Sequence, residues 1–425
     1  MIKTAACATL FVGKSYNQFL LMPLPSSMNS QELHSWLRLS LEPGVGPVRA
    51  RQLLSTFGLP QQVFEAPLQA LARHLPPAIA ERLHAEIEPE IEAQIAKTLA
   101  WLEEPEHYLL TLADDLYPPS LLQSHDPPIL LYADGQIESL KQASLAIVGT
   151  RNASLSGLAN ARNFAQYLAS NGVCVVSGLA QGIDTAAHQG ALASTVNKTC
   201  TIAVMGTGIN RIYPSSNLQL ARQIKAQGLL LSELPLDTGA AAHQFPRRNR
   251  IVAALALGTL VVQAAHKSGS LITAGMASEL GREVFAIPDS IHSPLARGCH
   301  QLIKNGAKLV ETAADIFEEL HLPMPNPAAA VQPSQVLKST TKRSSSKSPR
   351  PSKSLPTTSA SRQALEVSPR ALDLLQRMDF TVWSVDSLAR ELNWSIKDLN
   401  MYLLELELAE RIQRFADGTW QQIPT

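Results

Sequence analysis

The spacing of apolar positions changes along the chain, and each change marks a different kind of structure. From residue 29 to about 100 apolar side chains recur at helical intervals with few strand signals, which predicts a small helical domain. Inside it, Leu41-Glu-Pro-Gly-Val-Gly-Pro-Val-Arg-Ala-Arg-Gln-Leu-Leu54, followed by Phe57-Gly58, sets an apolar-Gly-apolar-Gly turn between two short helices. That is the pattern of a helix-hairpin-helix (SAM-like) unit, whose glycines let backbone N–H groups approach a phosphate closely. An ordinary tight helix connection has the same spacing, so both readings stand.

Between residues 144 and 320 short β-branched or apolar runs alternate with helical stretches, the signature of a parallel sheet with crossover helices. Seven strands are expected: Leu145 to Val148, Val173 to Ser177, Thr201 to Met205, Leu229 to Glu233, Leu260 to Gln263, Val284 to Ile287 and Lys308 to Val310. They suffice for an α/β, doubly wound, Rossmann-like core, and the domain is taken as 105–320. From 323 to 365 the chain turns rich in Ser, Pro, Thr and Lys, with no acid between Pro323 and Arg362, and reads as a disordered basic linker. Residues 366–425 give three helices and then a hairpin signal at Asp417-Gly418, the outline of a winged-helix domain. Its third helix, Ser395 to Arg411, carries Asp398, Glu405, Glu407 and Glu410 against Lys397 and Arg411. So acidic a helix is a poor reader of a DNA groove, and contact with a protein is an equal expectation.

Length and composition narrow the class. A chain of 425 residues exceeds what one hydrophobic core serves, so two or three domains are expected. No stretch approaches the roughly 18 uninterrupted apolar residues of a membrane span, and residues 1–28 lack the regions of a secretory signal; they read as a disordered extension with Met28 as a candidate start. Cys7, Cys174, Cys200 and Cys299 are scattered, with no Cys-x-x-Cys pair, as expected of reduced, mostly buried thiols in a cytoplasmic protein with no metal site. Lys plus Arg balances Asp plus Glu at 36 each, which leaves nucleic-acid binding open because that depends on a local basic patch.

The candidate chemistry gathers at the carboxyl ends of the expected strands. Strand one runs into Gly149-Thr150-Arg151 with a helix beginning near Ser154, so free amides and a guanidinium meet at the sheet edge where ligands of this architecture bind. Strand two runs into Ser177-Gly178-Leu-Ala-Gln-Gly-Ile-Asp184 and strand three into Met205-Gly206-Thr-Gly208, two small-residue turns at the same edge. Denser is Phe245-Pro-Arg247-Arg248-Asn249-Arg250: one aromatic to stack on a base and three guanidinium groups for phosphates, with no acid between Asp237 and Glu279. The competing account makes Phe245 a core plug and the arginines helix-surface ion pairs. After strand five, Lys267-Ser268-Gly269-Ser270 opens a helix as a nest of hydroxyl and amide donors, with an N-cap role for Ser270 as the plain alternative.

Several chemistries lack their motifs. There is no Gly-x4-Gly-Lys-[Ser/Thr] loop, no complete Gly-x-Gly-x-x-Gly after strand one, and no acid closing strand two to hold a ribose. The carboxylates near the expected edge are Asp184, better placed as a helix cap, and Glu233. His188 lies one helical turn from Asp184, a base-and-orienter spacing, but no nucleophile stands beside it, so no enzyme activity and no cofactor are expected.

Taken in order, Gly149-Thr-Arg151, Ser177 to Asp184, Met205 to Gly208, Phe245 to Arg250 and Ser268 to Ala274 resemble the DprA/Smf family of DNA-processing proteins over residues 105 to 320. The helical front and the winged-helix tail are similar to the family's three-part arrangement. The resemblance implies a homodimer that binds single-stranded DNA with little sequence preference, protects incoming DNA in natural transformation and promotes loading of the RecA recombinase past single-strand-binding protein. It implies Arg151 as a phosphate-binding arginine, Phe245 with the arginines after it as the DNA pocket, Ser268 to Ser270 as a phosphate loop, and a dimer surface near Leu295 to Leu309. Departures fall at Asp289 and Gln263, which are expected to lie apart from the DNA residues. A nucleotide-processing enzyme on a similar core is the rival reading, although its Pro-Gly-Gly-x-Gly-Thr-x-x-Glu motif is missing.

Overall fold

A computed structural model describes residues 29–194, 201–323, 368–378, 383–392, 394–409, 411–415 and 419–423. The extension at 1–28, Cys7, Cys200, the linker apart from Pro323, and the Asp417-Gly418 turn lie outside the described residues.

Six helices open the described chain: α1 Ser30–Leu41, α2 Pro47–Phe57, α3 Pro60–Glu65, α4 Leu68–Leu71, α5 Pro77–His84 and α6 Pro89–Leu102. Asn29 caps α1 through the Glu32 amide at 2.7 Å, and proline sits in the first turn of α2, α3, α5 and α6, where its missing N–H costs nothing. The expected glycine turn joins α1 to α2, with Gly44 at φ +85° and its missing Cβ space filled by Ile79. Trp36, Leu53, Leu71, Leu83 and Ile95 form the core of this unit, and Ile129 and Leu130 belong to the same cluster. Leu130 is the first residue of a sheet strand, so the helical front and the sheet share a core.

The sheet has nine strands: β1 His107–Thr111, β2 Leu130–Gly135, β3 Ser144–Val148, β4 Cys174–Ser177, β5 Thr201–Val204, β6 Leu229–Ser232, β7 Gly258–Val261, β8 Glu283–Ala286 and β9 Lys308–Leu309. The order is β1-β2-β6-β5-β4-β3-β7-β8-β9. All seven expected strands form, parallel throughout from β6 to β9. The sequence reading missed β1 and β2, which add antiparallel to the β6 edge and make the sheet mixed. Every residue of β2 is buried, so no alternation of polar and apolar positions betrays a strand there.

The remaining helices are α7 Pro119–Leu122, α8 Leu155–Ser170, α9 Ile183–Leu192, α10 Leu218–Gln227, α11 Gln244–Leu255, α12 Gly269–Glu279, α13 Arg297–Lys304 and α14 Ala313–Glu319. Alternate strand residues feed two cores: Ala146, Val148, Val176, Val204 and Val261 pack on one face with residues of α11 and α12, while Leu145, Ile147, Val175 and Leu260 pack on the other with residues of α8 and α9. From β3 the chain builds outward to β6, then returns to lay β7 on the other side of β3. A doubly wound sheet opens a crevice at that switch point, beyond the carboxyl ends of β3 and β7.

The C-terminal unit consists of α15 Pro369–Arg377, α16 Val385–Leu392, α17 Ile396–Leu408 and the antiparallel pair β10 Ile412–Arg414 and β11 Trp420–Gln422, a winged helix. Leu374, Leu388, Leu399, Leu403, Ile412 and Trp420 form its core. Among the described residues no helix is long and apolar enough to cross a membrane, and Cys174 and Cys299 are buried.

Candidate nucleic-acid interface

Several chain segments meet at the switch-point crevice. Val148 to Arg151 come from the end of β3, Ala180 and Asp184 from beyond β4, Tyr213 from the loop after β5, Phe245, Arg248 and Asn249 from the first turns of α11, and Ser268 to Ser270 with Thr273 from the start of α12; all of them line a cleft of about 700 Å³. Ser154 ends the β3 loop by capping α8, its hydroxyl accepting from the Gly157 amide at 3.1 Å. Arg151 is exposed, and its guanidinium lies 5.5 Å above the Phe245 ring. Phe245 in turn stands 5.4 Å from the half-exposed ring of Tyr213. The cleft therefore presents an aromatic pair beside a cation, a wall that accepts a flat ring and an anion together.

Glycines allow this wall to close up. A Cβ at Gly206 would come within 2.8 Å of the Phe245 ring, and one at Gly178 within 2.5 Å of the Arg248 guanidinium. Gly178, Gly206 and Gly208 thus permit close approach by others. Gly149, Thr150, Gly269 and Ser270 line the cleft themselves. Ser177 is fully buried and donates to the Ile147 carbonyl at 2.6 Å, so its hydroxyl is spoken for.

The three arginines of α11, which the sequence reading treated as one phosphate-binding group, have different surroundings. Arg250 is buried in ion pairs with Glu233 and with Asp126, the latter at 3.1 Å, and Arg247 meets Glu233 at 3.2 Å. No acid lies nearby in sequence, yet the fold delivers Glu233 from the end of β6 and Asp126 from the loop before β2. Arg248 is only 5% exposed: its Nη1 donates to the carbonyls of Gly178 and Val204, and its Nε to Asn249 Oδ1 at 3.0 Å. Burial lowers its pKa to about 10, which keeps it charged at neutral pH. Of the α11 guanidinium groups only Arg248 lines the cleft; Arg250 is buried in its ion pairs and Arg247 is exposed but matched to Glu233, while Arg151 and Lys267 are exposed and form no ion pair among the described residues.

Asp184 and His188 do not form a dyad. Asp184 Oδ2 accepts from the amides of Gly178 at 3.1 Å and Ala180 at 3.3 Å, holding the β4 loop; burial raises its pKa, and the Arg248 charge opposes that rise. His188 is fully buried with Nδ1 2.8 Å from the Thr201 hydroxyl. Because that hydroxyl already donates to the Val175 carbonyl, Nδ1 carries the ring proton and Nε2 is left bare and without a partner. Burial, aided by Arg248, drops the His188 pKa to about 3.

Two further expectations change. The helix cap is Ser268, whose hydroxyl accepts from the Ser270 amide at 3.4 Å, with the two hydroxyls 2.7 Å apart. Gln263 and Asp289 do not stand apart from the site. The Gln263 carbonyl accepts from the Thr150 amide at 2.8 Å, and its side chain bonds the Ser154 amide at 3.1 Å, the Ser154 hydroxyl at 2.7 Å and Asp289 at 3.2 Å. Both ends of the Arg151 loop are pinned by this one glutamine. Sequence reasoning also missed Tyr213, for which an aromatic next to proline, just beyond the strand-three glycine turn, was the available signal.

Fold and cleft together define a doubly wound α/β protein with an anion- and ring-accepting crevice at its switch point, joined in sequence to a winged helix. Comparison with known proteins gives the family. Residues 108–321 match the model for DNA recombination-mediator protein A, and residues 357–418 the DprA winged helix domain. The chain is 47% identical to Protein Smf of Escherichia coli over 227 residues, which is 53% of this chain and 60% of that one. It is 44% identical to the DNA processing protein DprA of Streptococcus pneumoniae over 209 residues, 49% of this chain and 73% of that one. An X-ray structure of DprA from Streptococcus pneumoniae superposes with a TM-score of 0.59 at 35% identity, covering 69% of this chain and 99% of that one. The chain belongs to the DprA/Smf family.

Proposed function

We propose that this protein is a recombination mediator that binds single-stranded DNA in the switch-point cleft, protects incoming DNA during natural transformation and promotes loading of RecA, with no catalytic step of its own. The observation that carries the reading is the Arg151 guanidinium over the Phe245 ring, with Tyr213 beside it, in an open cleft whose one carboxylate, Asp184, is already bonded to backbone amides. An unpaired base offers a free face to such a pair, whereas a base within a duplex is already stacked on both sides; this favours single strands and tolerates any sequence. Thr150, Asn249 and the N-terminus of α12 supply neutral donors for phosphate oxygens, and Lys267 a second exposed cation.

Surfaces elsewhere suggest the partners. On α17 the exposed residues Met401, Leu404 and Leu408 fall at helical spacing among acidic neighbours, which suits a protein partner such as RecA or single-strand-binding protein better than a phosphate backbone. The outer strand β9 has both residues exposed, which supports a homodimer through the late part of the core. Work on DNA beside RecA entails a cytoplasmic location.

Fluorescence anisotropy of labelled oligo-dT and of a duplex, across a salt series, tests the central claim. Wild type should prefer the single strand and weaken with salt, Phe245→Ala should lose roughly 1–3 kcal/mol, and Arg151→Ala should weaken binding and flatten the salt dependence. Equal binding by wild type and both variants, or preference for duplex, would refute the assignment. Steady release of base or phosphate from a nucleotide panel would move the enzyme reading to the front.

A further inference from the structure

Resting on the reading of the cleft as a single-strand site, we infer that the strand does not end there but continues past Arg151 into a groove between α8 and α9, where Arg162 takes a further phosphate. Nothing in the family motifs marks Arg162; the inference comes from how the concavities join. Arg151 lines the central cleft, a smaller hollow beside it and a groove of about 370 Å³ on its far side, and Gln181 lines both the hollow and the groove. The three spaces therefore adjoin one another around Arg151, and a strand that rounds its side chain can pass from the cleft to the groove.

The groove has the chemistry of a backbone track. Its lining has two cations, Arg151 and Arg162, neutral hydrogen-bonding side chains from Asn152, Gln181, Thr185 and Gln189, and no carboxylate. Among the described residues neither arginine forms an ion pair, which sets them apart from Arg247 and Arg250 on the other flank, both tied to Glu233. A strand leaving past Arg247 passes a cation already matched to a carboxylate; a strand leaving past Arg162 meets an unmatched one.

Arg162 is also held in place. Gly190 of α9 lies so close to α8 that a Cβ there would come within 2.1 Å of the Arg162 carbonyl, which fixes the backbone crossing. The next residue back, Gln189, accepts from the Arg162 guanidinium through Oε1 at 3.0 Å. A neutral amide orients the guanidinium without cancelling its charge, leaving its other N–H groups for phosphate oxygens.

The test uses the full-length protein and labelled oligo-dT of graded length, from about 4 to about 20 nucleotides, in the range over which single-strand sites differ in size. In wild type, affinity should rise with length beyond what the cleft accommodates. Arg162→Ala should bind the shortest strands as wild type does, lose roughly two- to fivefold on the longer ones and show a log–log salt slope smaller by about 0.7, the value for one phosphate contact on a single strand. Gln189→Glu, which puts a carboxylate against the guanidinium, should reproduce that loss, and Arg162→Lys should restore the slope. Because Arg162 is exposed and its side chain bonds Gln189, unchanged melting of these variants separates a binding defect from a folding one. Wild-type binding together with Arg162→Ala and Gln189→Glu variants that match it at every length and in salt slope overturns the groove alone; failure of wild type to bind any strand overturns the cleft reading and the groove with it.

Discussion

Replacing Arg248 by alanine distinguishes a scaffold role from a ligand role for the most deeply placed guanidinium of the site. Two hydrogen bonds to the carbonyls of Gly178 and Val204 are lost, each worth about 1.5–3 kcal/mol when the donor is charged. The Asp184 carboxylate, 7% exposed, also loses the positive charge that offsets its burial. Removing one member of a buried charged pair typically costs about 3–5 kcal/mol. The two figures describe the same loss in two ways and do not add, so roughly 4 kcal/mol is expected, a large share of the about 5–15 kcal/mol that holds a domain together. Urea unfolding followed by circular dichroism should show the midpoint falling by about 1 M or more, with m of about 1–3 kcal/mol/M. Asp184→Asn in the same chain should recover part of the loss, since the two groups are coupled. An Arg248→Ala protein within about 1 kcal/mol of wild type that nonetheless fails to bind oligo-dT would refute the argument and make Arg248 a phosphate ligand.

Other perturbations read other parts of the same construction. His188 has a folded-state pKa of about 3 against an ordinary value near 6.5, so its contribution is fully present above about pH 6.5 and is lost as the pH falls toward 3, at about 1.4 kcal/mol per pH unit. The stability difference between wild type and His188→Gln should shrink with that slope between about pH 6.5 and 4.5; a pH-independent difference would show that the imidazole is charged in the fold. Gln263→Ala removes the bonds that pin Ser154 and should cost about 1–3 kcal/mol while weakening oligo-dT binding with Arg151 intact. Unchanged affinity would mean that the Arg151 loop needs no brace. Gly206→Ala pushes a methyl toward the Phe245 ring and should lower affinity by a factor similar to Phe245→Ala with less effect on melting; wild-type affinity would show that the ring can give way freely.

Much of this protein was legible along the chain because the signals are local. Glycine turns directly after β-branched runs located the carboxyl ends of β3, β4 and β5, and the Ser154 cap of the helix after β3 needs only a neighbouring residue, although the loop before it is pinned by the distant Gln263. The α11 triplet was half legible: Arg247 and Arg250, three apart, share a helix face, while Arg248 points about 100° away from Arg247, so the three were bound to part company. Which face met what was not written there. Glu233 lies 17 positions from Arg250, and the Gly178 carbonyl 70 positions from Arg248. Only the sheet order, which sets β6, β5 and β4 side by side under α11, brings these partners within reach.

The sequence by itself determined the succession of helical front, doubly wound core and winged helix, and the residue types gathered at one sheet edge. The tertiary structure alone decided which of those residues keep a charge to offer. An unpaired guanidinium and a paired one are identical in sequence, and the difference lies in whether packing places a carboxylate or a carbonyl against it. On that ground Arg151 and Arg162 keep a charge with no carboxylate against it among the described residues, while Arg247 and Arg250 are matched to Glu233 and Arg248 is bonded to backbone carbonyls.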